Sequence, residues 1–157
     1  MIIVDVFVPG AAKTKGSMEV RNRVTGAMKE SVAGSSRWRA LMAQAVRDDI
    51  ARRQPPVAEL RAPYPGPVSV TVAAYLTPPA GWVARFLTAV IWPIWPRAGD
   101  LDKLVRNVLD AIGSTSRNAK MNGGAIVDDN LVCRIAAWKH VADDRHPAGV
   151  RIVVETL

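Results

Sequence analysis

Residues 99–113 read GDLDKLVRNVLDAIG, and the elements on either side arrange themselves around this stretch. Leu101, Leu104, Val105, Val108, Leu109 and Ile112 recur at three- and four-residue spacing, the signature of a helix with one buried face, and Gly113 marks its stop. Downstream, a polar loop from Ser114 to Gly124 carries Arg117 and Lys120. Two alternating apolar runs follow, Leu131 to Trp138 and Val150 to Glu155, both read as strands. Upstream, Pro78 to Gly99 is rich in proline and tryptophan. Before it, Val68, Val70 and Val72 alternate with Ser69 and Thr71 in a strand reaching Leu76. A first helix is expected from Ser35–Ser36 to about Arg53, with Trp38, Leu41, Met42, Ala45, Val46 and Ile50 on its apolar side. The segment Ala11 to Gly34 is basic and reads as a long loop, or as a loop holding a short hairpin. Ile2 to Val8 is a first strand closed by Pro9-Gly10. The order strand, helix, strand, helix, strand, strand predicts an α+β fold: a mixed or mostly antiparallel sheet with two principal helices, in a single domain over residues 1–157.

Such a length can bury a core without disulfides or metals to hold it. The lone Cys133 excludes an internal disulfide and a cysteine-rich zinc site; its alternating apolar surroundings predict a buried small hydrophobe. A net charge of +7 favours a polyanionic partner, because clustered lysine and arginine concentrate phosphates and release their counterions. Met1 to Val8 lacks a basic leader and a cleavage site. The apolar run Trp82 to Trp95 is too short for a bilayer and is broken by Arg85 and Pro93. No membrane association and a cytoplasmic location are expected. Trp82, Trp92 and Trp95 could stack on bases, but packing beneath their loop is the favoured expectation.

The chemistry lies in four carboxylates. Asp100 and Asp102 sit where the loop enters the second helix, and Asp128 and Asp129 stand immediately before a strand. If the intervening loop brings helix start and strand start together, all four face one site. Clustered carboxylates repel one another and call for a compensating cation. Oxygen ligands of this kind suit Mg2+ or Mn2+, which keep waters and also bind phosphate oxygens. Each pair also has a plain structural reading, Asp-x-Asp as a helix cap with a first-turn acid and Asp-Asp as a turn. Lys103 and Arg106 lie on the polar side of the helix and could offset charge on a phosphate. Arg106 could equally pair with Asp102 or Asp110 along the helix. Its guanidinium stays protonated and so cannot serve as a general base. His140 and His146 have no metal-ligand spacing and read as surface residues, and no glycine-rich phosphate loop occurs.

The run Gly99 to Ile112, followed by Val127-Asp128-Asp129-Asn130-Leu131-Val132 and then Lys139, closely resembles the RusA family of Holliday junction resolvases. Val8-Pro9-Gly10 followed by Lys13 to Ser17 is similar to the family's opening strand and basic loop. The resemblance implies a homodimeric, Mg2+-dependent crossover junction endodeoxyribonuclease that nicks paired strands across a four-way DNA junction. By position, Asp100, Asp102 and Asp129 match the family's catalytic, metal-binding acids, and Asp128 matches the neighbouring, less central acid. Arg106 stands where the family has an important lysine, and Lys139 matches a basic residue of the late strand. Lys103 replaces the usual asparagine, and the loop from Ile112 to Asp128 is longer than in compact members.

These readings combine into one expectation. Asp100, Asp102 and Asp129 hold the metal, Asp128 stands beside them, and Arg106 offsets the transition-state charge together with Lys103 and Lys139. Lys13, Lys15, Arg21 and Arg23 of the basic segment grip the DNA arms by their phosphates. The competing class is a non-catalytic junction or single-strand binder of the same fold. A third, a nucleotide-sugar transferase using Asp-x-Asp, fits poorly because the chain has no room for its usual nucleotide-binding domain.

Overall fold

The computed structural model of the chain describes residues 1–15, 18–22, 27–30, 33–53, 62–80, 98–114 and 122–157, of which 18–22 and 27–30 are described by backbone alone. Trp82, Trp92 and Trp95, and Arg117 and Lys120 of the polar loop, lie outside the described residues.

Strand β1 spans Ile2–Pro9. The basic segment resolves in favour of a hairpin: β2, Met18–Asn22, pairs antiparallel with β3, Ala27–Glu30, in a separate two-stranded sheet. Helix α1 follows over Ser35–Arg53, then strand β4 over Val68–Leu76. Helix α2 spans Leu101–Ile112, and a short 3-10 turn, Asp129–Leu131, leads into β5, Val132–Val141. Strand β6, Gly149–Thr156, completes the fold.

The four long strands form one mixed sheet in the order β1-β6-β4-β5. β6 is antiparallel to both of its neighbours, whereas β4 and β5 run parallel. A parallel pair needs a crossover, and α2 supplies it, so the helix must run against the two strands it joins. Both of its ends bear this out. Near its start, the Lys139 ammonium, late on β5, donates to the Gly99 carbonyl at 2.9 Å. At its end, Gly113 bridges to Ile126, just ahead of β5.

Alternation decides which side of the sheet is covered. Val4, Val6 and Val8 of β1, Val68, Val70, Val72 and Ala74 of β4, and Val150, Ile152 and Val154 of β6 are buried. They pack with Trp38, Met42 and Val46 of α1 and with Leu104, Val108, Ala111 and Ile112 of α2 in one core. Leu41, expected on the same α1 face, is instead 50 % exposed. It lies at the margin of an apolar stripe too narrow to bury every member. On the opposite side of the sheet, Tyr75 stacks between His140 and His146, each ring 5.2 Å away. His146 is exposed as expected, while His140 is half-buried.

The first strand lies at the sheet edge, and α1 closes that edge through Asp49, which is only 4 % exposed. Its carboxylate accepts from the Asp5 backbone N–H at 2.8 Å and from the Arg53 Nε at 2.6 Å. An otherwise unpaired edge donor and a buried charge thereby satisfy each other. At the other edge Cys133 is exposed, contrary to its expected burial. The register of β5 against β4 shifts here, with Val132 opposite Val68 and Arg134 opposite Ser69. Cys133 is thus the extra residue of a bulge and has no β4 partner to hold it against the core.

Candidate active site

Two glycines fix how α2 is entered and left. Gly99 has φ +82 and lies so close to Thr14 that a Cβ there would sit 2.5 Å from its Cγ2. Only glycine adopts this turn without penalty while letting the segment after β1 pass so near. Beyond the helix, a Cβ at Gly123 would overlap the Ala111 carbonyl, so the returning chain lies directly on the helix end. Gly113 ends the helix by turning extended, at φ −72, and not through a left-handed cap.

Asp100 occupies the N-cap position of α2, yet its side chain makes no capping hydrogen bond. The carboxylate is 64 % exposed and meets the Lys103 ammonium at 2.8 Å. That hydrogen bond, then the Lys103 charge and that of Lys139, hold Asp100 below the usual carboxylate range. Lys103 is raised in turn by its hydrogen bond to Asp100, by the charge of Asp100 and by that of Asp102. Asp102 and Arg106 are exposed one turn apart along the same helix. The ion pair formed in this turn thus joins Asp100 to Lys103, and the ordinary capping role does not account for Asp100.

The second pair divides differently. Asp128 caps the 3-10 turn, its carboxylate accepting from the Asn130 backbone N–H at 3.0 Å. This is the plain turn role for an aspartate in that position. Asp129 is exposed.

The two pairs do not meet within one chain. Asp100 and Asp102 lie at the start of α2, whereas Asp128 and Asp129 follow Ile126, which bridges to Gly113 at its end. A twelve-residue helix separates them, about 18 Å of axial rise. Among the described residues no group of three His, Cys, Asp or Glu side chains lies close enough to hold a metal ion. The loop between Ile112 and Asp128 does not bring helix start and strand start together. It stays at the helix end because β5 must start beside the start of β4 if the two strands are to run parallel. A divalent ion held by carboxylates from both pairs therefore does not fit a single chain.

The basic residues also divide. The stretch Lys13–Lys15 runs beside α2: the Lys15 backbone N–H donates to the Lys103 carbonyl at 3.1 Å. Asn107 Nδ2 donates to the Lys13 carbonyl at 2.8 Å. The Lys15 ammonium meets Asp110 at 2.6 Å, and Arg39 approaches the same carboxylate oxygen at 3.6 Å. Asp110 thus pairs with the strap and with α1 and not with Arg106, since those cations stand on the helix side it faces. Lys13 itself is exposed. Arg21 lies on β2, the backbone of which alone is described, and Arg23 lies outside the described residues. Asn107, fully buried, also accepts from the Arg39 Nε at 2.9 Å and so ties α1, α2 and the strap together. Its signal in the sequence was a polar residue adjoining Leu104, Val108 and Ala111 on the buried side.

A model of the endodeoxyribonuclease RusA family matches residues 9–155, nearly the whole chain. No curated protein matches it. The chain belongs to the RusA family, and its fold is that of a nuclease. No helix among the described residues is long and apolar enough to cross a membrane.

Proposed function

We propose that this chain is a single RusA-like domain acting as a Mg2+-dependent crossover junction endodeoxyribonuclease. In this reading it works as a homodimer, nicking paired strands of a four-way DNA junction. One observation carries it: at the positions matching the family's acids, Asp100 forgoes the cap it is placed to make and Asp102 and Asp129 stand exposed, while Asp128 serves a turn. An N-cap carboxylate turned outward gives up a local stabilisation of about 0.5–2 kcal/mol, which favours a role beyond the helix.

The separation of the carboxylates along α2 favours a site completed by a second copy. A two-fold axis perpendicular to α2 carries one end of the helix to the other end of its mate. Asp100 and Asp102 of one subunit then face Asp129 of the partner subunit, with Asp128 of the partner subunit holding that turn. Two equivalent sites result, in keeping with the near two-fold symmetry of a four-way junction. Mg2+, or Mn2+ in its place, would supply Lewis-acid polarisation of a phosphodiester and activation of water. The chain supplies placement and charge. Lys103 keeps Asp100 ionised, and Lys139, fixed on the Gly99 carbonyl, adds positive potential beside it. The exposed Arg106 binds the scissile phosphate and offsets charge in the transition state without moving a proton. Lys13, with Arg21 and Arg23 of the hairpin region, grips the DNA arms by phosphate contacts, and Lys15 acts mainly by fastening that strap to α2.

The test is a Mg2+ titration on a synthetic four-way junction and a matched linear duplex, with Asp102→Asn in parallel. Junction-selective nicking that the substitution abolishes while binding persists is expected. Equal cutting of both substrates removes the resolvase reading. Tight junction binding with no metal-dependent product favours the non-catalytic binder.

A further inference from the structure

Beyond the end of β4 the fold leaves a cavity of about 180 Å3. Leu76, the last residue of the strand and itself buried, forms the floor. Ala11 and Ala12 of the strap wall one side, and Ala98, just ahead of α2, walls another. Lys13 and Thr77, both exposed, stand at the rim. The space exists because three methyl groups meet Leu76 where larger side chains would fill it.

Each wall is held in place from behind. The Gly10 backbone N–H donates to the Ala148 carbonyl at 2.9 Å, and the Lys13 carbonyl accepts from Asn107 at 2.8 Å, so the strap is fixed at both ends. The Leu76 carbonyl accepts from the Ala142 N–H at 2.9 Å. Gly99, next to Ala98, is held through its carbonyl by Lys139. A cavity fixed in this way takes a ligand without the cost of ordering its walls.

We infer that this cavity receives one unstacked nucleobase of the DNA strand that passes the start of α2. The inference rests on the placement of the scissile phosphate proposed above. Ala98 precedes Asp100 by two residues, no more than about 7 Å of chain, so the base belongs to a nucleotide beside that phosphate. The volume lies well above the ~30 Å3 of a water and below the ~300 Å3 at which pockets for whole small-molecule ligands begin. It suits one planar ring system. No carboxylate lines the cavity among the described residues, which does not suit a hard cation. A base has apolar faces to lay on Leu76 and the alanine methyls. Its polar edge meets the Thr77 hydroxyl, which can donate and accept, and Lys13 neutralises the attached phosphate. Bases at a branch point cost least to extrude, because their pairing and stacking are already weakened.

The test uses the Mg2+-free protein, so that the DNA stays uncut. 2-Aminopurine, which brightens on leaving the stack, is placed in turn at each nucleotide flanking the branch point of a four-way junction. Protein is added to saturation. One position should brighten, and no position in the matched linear duplex should. Ala11→Leu/Thr77→Leu narrows the cavity from its exposed rim and should return that position to the level of free junction. Ala98→Leu, which fills it from the inner wall, should do the same. Replacing the responding nucleotide by an abasic one should weaken wild-type binding by roughly fivefold or more, the low end for losing the contacts of one stacked base. The filled variants should feel that replacement much less. A flat scan of the wild type, or a signal undiminished in both filled variants, overturns the inference. Metal-dependent nicking that persists beside either result leaves the nuclease reading intact. A cavity-dependent signal from a protein that never nicks removes the nuclease reading and keeps the base site.

Discussion

Replacing Asn107 with alanine tests whether the strap beside α2 is fastened as described. The side chain is fully buried and holds two hydrogen bonds, from the Arg39 Nε at 2.9 Å and to the Lys13 carbonyl at 2.8 Å. A neutral hydrogen bond contributes about 1 kcal/mol net and one to a charged group about 1.5–3 kcal/mol. Arg39 keeps a second, longer contact with Asp110, which recovers part of the larger contribution. The expected loss is about 3 kcal/mol. In a domain of this size that corresponds to a fall in Tm of roughly 6–12 °C. Urea unfolding followed by circular dichroism should show a lower midpoint with an unchanged slope, because the denatured chain is the same. A loss below about 1 kcal/mol would refute the reasoning, since it would mean that Asn107 does not join the two helices to the strap.

Two further substitutions probe the turn that carries Asp100. Lys103→Ala removes the group that most depresses the Asp100 carboxyl, so its titration, read by carbon NMR, should move up towards the ordinary aspartate range. The acid limb of nicking should move to higher pH with it; an unmoved carboxyl signal would contradict the pairing. In the wild type, any stability from this pair is present above the unfolded aspartate value and fades as pH falls through the lower folded one. Gly99→Ala should destabilise by roughly 1–2 kcal/mol in urea, from left-handed strain and the approach of Thr14. Thr14→Ala in the same chain should restore the steric part and leave the backbone part, and no recovery would contradict the close approach.

Much of the fold was legible because local period carries it. The three- and four-residue spacing of Leu101, Leu104, Val108 and Ile112 places α2 as observed, and alternating valines place β4. The RusA resemblance, drawn from Gly99 to Lys139, agrees with the family match. Relations between distant segments were not legible in the same way. Nothing in the residues around Cys133 marks the bulge that exposes it. The capture of Lys15 by Asp110 depends on the strap lying beside α2, which no local pattern encodes. The convergence of the four aspartates was expected on the condition that the loop after α2 brings helix start and strand start together. The parallel pairing of β4 with β5 instead sends α2 the length of the sheet and leaves the pairs at its two ends.

Subunit mixing settles where the catalytic carboxylates come from. Asp102→Asn and Asp129→Asn, each inactive alone, are combined, allowed to exchange, and given a four-way junction with Mg2+. If one subunit lends its helix-start acids and its mate the strand-start acid, the mixed dimer holds one intact site, and single-strand nicks should return without paired resolution. Silence from mixed dimers shown to have formed would mean that each subunit carries its own complete set.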